Sequence, residues 1–194
     1  MVMKKFKDYI ICFFNRKIDL SEFDKELVSH GIDILICDGR NFVSIILLSF
    51  FFGTTRRTIL YLIILSCLRG HTGGWHSKTE LGCFVTYNIS YLLLIWLSYR
   101  SIHPFIMNLI ILIAVSYIIW FSPVEHINNP LSDQEREKNR KISVYYSMVF
   151  FFLYAVLLTH KQTGYAAIIS LAFAYNVILM ELLRRSDKRR SYGH

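Results

Sequence analysis

The sequence predicts an all-α, polytopic membrane protein, and three observations carry that prediction. No Asp, Glu, Lys or Arg occurs in residues 83–99, 101–124, 142–160 or 162–180. A helix needs about 20 mostly apolar residues to cross a bilayer core of roughly 30 Å. The chain is 54% hydrophobic, above the roughly 45–50% of ordinary soluble domains. The net charge of +8 is unevenly placed: residues 1–40 hold seven basic and seven acidic side chains, so the whole excess lies in residues 41–194. Any one apolar run could be a soluble core helix, but a soluble fold would not string four together at this length. The basic residues sit beside the apolar runs, where they mark the cytoplasmic side more simply than a nucleic-acid site.

Residues 1–40 read as an amphipathic interfacial region of one or two helices. Asp19-Leu20-Ser21-Glu22 offers a cap with an acid three residues on, and Phe23, Leu27 and Val28 follow at helical spacing. With so many charges of both signs, this region is expected on the membrane surface. The apolar piece from Tyr9 to Phe14 is too short for a signal peptide and lacks a small-residue cleavage site. Residues 41–68 read as a broken or re-entrant helical hairpin, interrupted at Gly53-Thr54-Thr55-Arg56-Arg57. Such segments are tolerated only where protein or a water-filled cavity shields the backbone. Two ordinary spans with Arg56 and Arg57 on the far side is the alternative. Transmembrane helices are then expected over 83–99, 103–121, 142–159 and 164–183. Arg136, Lys138, Arg140 and Lys141 lie between the second and third, and Arg184, Arg185, Lys188, Arg189 and Arg190 follow the fourth. Positive segments stay inside, so these and the start of the first span are expected to face the cytoplasm. Neither a repeat nor a low-complexity linker divides the chain, which reads as a single membrane-embedded domain over residues 1–194.

Residues 69–83 hold the chemistry. The stretch His71-Thr72-Gly73-Gly74-Trp75-His76-Ser77-Lys78-Thr79-Glu80-Leu81-Gly82-Cys83 concentrates reactive side chains at the boundary between the interrupted segment and the first clean span. On one straight helix His76 and Cys83 would lie about 10.5 Å apart along the axis, too far for a histidine to take a proton from a thiol. If they cooperate, the backbone between them is not one regular helix, and Gly73, Gly74 and Gly82 supply the freedom. With the span starting at Gly82, Cys83 would occupy its first turn, where the positive dipole end favours a thiolate. That position separates it from Cys12, Cys37 and Cys67, which show no zinc or disulfide spacing. A plain buried cysteine beside an interfacial histidine is the alternative reading of the same residues. A metal site from His71, His76, Glu80 and Cys83 is less favoured, because His71 and His76 miss the i,i+4 spacing of a helical ligand pair.

Arg69-Gly70-His71-Thr72-Gly73-Gly74-Trp75-His76, followed by Cys83, resembles the signature of the accessory gene regulator protein B (AgrB) family of membrane peptidases in quorum sensing. Ser122-Pro123-Val124-Glu125-His126-Ile127-Asn128-Asn129-Pro130-Leu131 resembles that family's Pro-to-Pro cytoplasmic loop. The resemblance covers essentially the whole chain. It implies a cysteine endopeptidase in the plasma membrane, with its active site facing the cytoplasm, that removes the C-terminal tail of an AgrD-like propeptide. Cys83 would be the nucleophile and His76 the general base and acid, and the acyl group would pass on to close a thiolactone or lactone ring. Arg69, Gly73 and Gly74 are the candidate substrate-binding residues. No metal or organic cofactor is implied. The partners are the propeptide and the lipid bilayer, with no nucleic acid and with a homodimer left open. The competing reading is a small transporter or export component for a peptide, without catalysis. A transporter should show midplane charges or repeated halves, and the four clean spans show neither.

Overall fold

The computed structural model describes residues 22–74, 79–125 and 131–191, and among these every regular element is a helix. In order they are α1 Glu22–Phe51, α2 Thr55–Thr72, α3 Glu80–Ser98, α4 Pro104–Phe121, α5 Asp133–Thr159 and α6 Thr163–Ser191. The last four are long and apolar enough to cross a membrane. The expected all-α polytopic architecture is the observed one, and the four expected spans fall on α3 to α6.

The chain divides into two compact units, residues 1–44 and 45–194. The described part of the first is the beginning of α1. No boundary in the backbone separates the expected interfacial region from the first arm of the broken hairpin, because α1 runs through position 40 without interruption. The proposed cap at Asp19 to Ser21 lies outside the described residues.

The break falls at residues 52–54, inside the stretch that the sequence marks. Gly53 takes a positive φ of 63°, and the Thr54 N–H returns to the Ser49 carbonyl at 2.9 Å, a turn that closes a helix C-terminus. The second arm is longer than its apolar run, because Arg56 and Arg57 lie inside α2. Arg57 is satisfied there: it donates to the Ser98 carbonyl at 3.0 Å and to Ser98 Oγ at 3.3 Å, and it stacks 3.7 Å from the centre of the Tyr99 ring. With 18 residues, α2 rises about 27 Å. It runs from the end of the bundle marked by Ser98 to the end marked by Val124.

The second unit is built around α6, which packs against α2, α3, α4 and α5. Protein encloses 72% of the α6 span, against 39%, 28% and 22% for those of α3, α4 and α5. Its first half is rich in small buried residues, Ala166, Ala167, Ser170 and Ala172, which let neighbouring helices approach closely. Hydrogen bonds tie the helices at depth: Tyr154 to Asn108 at 2.6 Å and Tyr117 to Glu181 at 2.5 Å. The outward faces of α3, α4 and α5 are apolar. Ile89, Leu93 and Trp96, Leu112, Ile113 and Trp120, and Val149 and Phe152 are all exposed on the isolated chain. Such faces suit lipid or a second copy of the chain.

The basic run between the second and third spans, expected from the sequence only as a cytoplasmic segment, is helical. Arg136, Lys138, Arg140 and Lys141 lie in the first turns of α5. The cause is a capping box that the reading passed over: the Glu135 N–H bonds Ser132 Oγ at 3.4 Å, and the Glu135 carboxylate accepts from the Ser132 N–H at 3.0 Å. The basic tail likewise continues α6 as far as Ser191.

Candidate active site at the junction of α2 and α3

The end of α2 is fixed on three sides. His71 Nδ1 lies 3.1 Å from Asn139 Oδ1 of α5, and its ring stacks on Tyr146. The Thr72 hydroxyl pairs with the Asn176 side chain of α6 at 3.2–3.3 Å. Gly73 ends the helix with φ 74°, and a Cβ on it would run into the Val124 carbonyl oxygen. The Val124 N–H donates to the Thr72 carbonyl at 2.9 Å. Gly73 is therefore a turn residue that an L side chain cannot replace without strain. Gly74 sits differently. A Cβ there would be 3.6 Å from Arg69 Cγ and Nε and from Leu179 Cβ, an ordinary contact.

Seven residues link Gly73 to Thr79 before α3 begins at Glu80. His76 falls in this connection, within residues 75–78, which lie outside the described residues. Gly82 is the third residue of α3, so it is not the hinge that the sequence reading considered. Thr79 caps the helix through its hydroxyl, which accepts from the Gly82 N–H at 3.1 Å. Cys83 comes next. Its N–H reaches the Thr79 carbonyl at 3.0 Å, and its side chain is buried at 7% exposure. It occupies the first turn of a membrane helix, as the sequence led us to expect. Cys67 lies within α2, five residues before its end at Thr72, Cys37 belongs to the first unit, and Cys12 lies outside the described residues.

Cys83, Tyr87 and Tyr91 stand at i, i+4 and i+8 on one buried face of α3, with exposures of 7%, 4% and 0%. The Arg69 guanidinium lies 5.5 Å from the centre of the Tyr87 ring. Tyr175 of α6, buried where that helix packs on α3, lies near Ser90 and interacts electrostatically with both Arg69 and Cys83. Arg69, Gly74 and Cys83 are thus brought into one neighbourhood. Beyond it, the connection from α4 to α5 is anchored by Ser122 Oγ to Ser143 Oγ at 2.7 Å. Arg136 grips Glu125 through two bonds, at 2.6 and 3.2 Å. Residues 126–130 of the Pro-to-Pro motif lie outside the described residues.

The profile of the accessory gene regulator B family matches residues 5–180, most of the chain. The chain belongs to that family. A putative AgrB-like protein 1 of Clostridium perfringens is 22% identical over 153 residues, covering 78% of this chain and 82% of its own length. Protein FsrB of Enterococcus faecalis is 31% identical over 107 residues, 54% of this chain and 44% of that protein. A putative AgrB-like protein of Clostridium acetobutylicum is 24% identical over 179 residues, with 91% and 84% covered. No solved structure matches the chain significantly. Membership places this AgrB-family protein in accessory gene regulation, in the processing of a quorum-sensing peptide pheromone.

In this AgrB-family chain the junction of α2 and α3 brings a thiol, a guanidinium and tyrosine side chains onto neighbouring helix faces. A thiol lies in a helix first turn, whose N–H groups favour negative charge nearby. The Arg69 guanidinium faces the ring of Tyr87, one helical turn along α3 from Cys83. Sequence reasoning missed Tyr87 and Tyr175, since aromatic residues in apolar runs read as core, and Asn176, whose partner Thr72 lies on another helix. The spacing of Cys83, Tyr87 and Tyr91 was the available signal: a cysteine continuing a tyrosine stripe marks a polar face in an otherwise apolar helix.

Proposed function

We propose that this AgrB-family protein is a membrane cysteine endopeptidase that removes the C-terminal tail of an AgrD-like propeptide, with Cys83 as nucleophile and His76 as general base and acid. One observation carries the reading. Cys83 is buried in the first turn of α3, at the end of the short connection to which His76 belongs and one helical turn from Tyr87, whose ring faces Arg69. His76 takes the thiol proton as Sγ bonds to the scissile carbonyl carbon. The C–N bond then breaks, and His76 returns the proton to the leaving amine. The acyl-thioester is attacked by a Cys or Ser side chain of the peptide itself, which closes the ring and restores the Cys83 thiol. A site enclosed by protein and lipid keeps water from the thioester and favours internal attack over hydrolysis.

Arg69 is proposed to hold a carboxylate of the propeptide, a role its planar fork suits better than a lysine. Gly74, packed on the Arg69 side chain, would line the same subsite. Gly73 contributes by shaping the turn. The 1–194 chain acts as one peptidase domain in the cell membrane. The basic residues of α5 and α6 favour a site facing the cytoplasm. The experiment is reconstitution with the propeptide in liposomes, reading release of the tail by mass spectrometry. Wild-type protein should release it, and Cys83→Ala and His76→Ala should not. No release by wild-type protein would reject the peptidase reading and leave a non-catalytic export component, whereas release by both variants would reject Cys83 and His76 as the catalytic pair.

A further inference from the structure

Asn176 of α6 and Thr72 of α2 form a fully enclosed polar pair, each at 0% exposure. Asn176 Nδ2 donates to Thr72 Oγ1 at 3.2 Å and also reaches Met180 Sδ at 3.7 Å. The Thr72 hydroxyl has one proton and two acceptors, Asn176 Oδ1 at 3.3 Å and the Gly73 carbonyl at 3.1 Å. With its oxygen taken up by the amide, its proton can hold the Gly73 carbonyl. On the other side of Gly73, the Thr72 carbonyl accepts from the Val124 N–H at 2.9 Å. Both peptide units that flank Gly73 are thereby oriented, where a φ of 74° turns the chain out of α2. At the far end, the Thr79 carbonyl accepts from the Cys83 N–H at 3.0 Å, and the Thr79 hydroxyl from the Gly82 N–H at 3.1 Å. Five residues, Gly74 to Lys78, separate these two fixed ends, and His76 is the middle one. Fixing both ends of a short connection cuts the conformations open to the residues between. A polar pair between membrane helices can serve as glue alone, as Tyr154 and Asn108 do at 2.6 Å. The Thr72 hydroxyl differs, because its second bond runs to the main chain that leads to His76.

We propose that Asn176 is a positioning residue: through the Thr72 hydroxyl and the Gly73 carbonyl it sets the direction in which the chain leaves α2, and so the placement of His76 against Cys83. The inference rests on the peptidase reading. Neither Asn176 nor Thr72 touches the propeptide in this account, so their loss slows proton transfer and leaves binding alone.

The test uses full-length protein in liposomes and the synthetic propeptide. Asn176→Leu should lower kcat on the order of 10- to 100-fold, the cost of a small misplacement of a catalytic group, and leave KM within about twofold. Thr72→Val should lower kcat likewise and also the unfolding temperature, because it strands the Asn176 amide in the core. Thr72→Ser, which keeps the hydroxyl, should keep kcat close to wild type. The double variant Asn176→Leu/Thr72→Val replaces both partners by apolar groups, so its unfolding temperature should recover while kcat stays low. Tyr154→Phe, a loss of interhelical glue elsewhere, should lower the unfolding temperature alone. Alkylation of Cys83 by iodoacetamide, mapped by mass spectrometry across neutral to alkaline pH, reads the pair without substrate. The double variant should shift the alkylation curve to higher pH, as His76→Ala does, since a displaced histidine no longer accepts the thiol proton. A kcat that recovers with stability in the double variant, or an alkylation curve there like that of wild type, would overturn the proposal. An unshifted curve in His76→Ala would instead overturn the His76–Cys83 pair of the peptidase reading beneath it.

Discussion

Gly73 and Val124 lock the end of α2 to the connection between α4 and α5. The Val124 N–H bonds the carbonyl of Thr72, and its own carbonyl occupies the space that a Cβ on Gly73 would need. The two stretches singled out in the sequence, residues 69–83 and 122–131, therefore meet through their backbones at one end of the bundle.

Gly73→Ala should consequently lose stability and activity together. The positive φ alone costs roughly 1–2 kcal/mol, and displacement of the Val124 backbone adds to it. Gly74→Ala meets only ordinary contacts at 3.6 Å and should leave the unfolding temperature within a few degrees of wild type. Thermal unfolding in detergent distinguishes the pair, and equal losses in both variants would contradict the assignment of Gly73 to the turn.

A contrast between two arginines follows. Arg136 spends its guanidinium on Glu125 and is 54% exposed, so its loss should change stability little, and less still as salt rises. Arg69 stands half-buried beside Tyr87. Arg69→Lys should therefore slow propeptide cleavage about tenfold or more, and more than Arg136→Ala or any single change at Lys138, Arg140 or Lys141, in line with the stronger worth of desolvated contacts. Initial rates with wild-type and tail-neutralised propeptide provide the measurement. An unchanged wild-type rate on the neutralised tail would end the electrostatic account of recognition.

At the opposite end, Arg57 holds α2 to the end of α3 through Ser98 and Tyr99. A charged donor in partly buried hydrogen bonds contributes about 1.5–3 kcal/mol. Arg57→Ala should lower the unfolding temperature while the folded fraction keeps its cleavage rate. A rate loss without a stability loss would show that this end takes part in the reaction.

Topology is open to direct reading. A reporter fused after Asn128 or at the C-terminus should report cytoplasmic, and one at residues 101–103 external, because clusters of basic residues flank the first two positions and Arg100 alone flanks the third. An external signal after Asn128 would place the candidate site on the wrong face for a cytoplasmic propeptide.

Much of this architecture was legible in the chain. Four charge-free runs of membrane length give four helices, because lipid leaves the backbone no other way to satisfy itself. The break near Gly53 was legible as well, since a positive φ there favours glycine. The helical state of Arg136 to Lys141 was obscured by its charge, although Ser132 and Glu135 spell its cap. Arg56 and Arg57 read as an interruption because the acceptor of Arg57, the Ser98 carbonyl, is 41 residues away. Cys83 was found from its place at a span boundary. The tyrosines around it were not, because burial beside Arg69 arises from the meeting of α2, α3 and α6, which periodicity within one helix does not reveal.

The most direct measurement of the central claim is the intact mass of the protein after incubation with a propeptide whose ring-closing Cys or Ser is replaced by Ala. Without internal attack the thioester should accumulate, giving a covalent adduct whose added mass is that of the propeptide minus the released tail peptide, mapped by digestion to Cys83 and missing from Cys83→Ala. Tail release with no adduct, or an adduct on Cys67 or another residue, would contradict nucleophilic catalysis by Cys83.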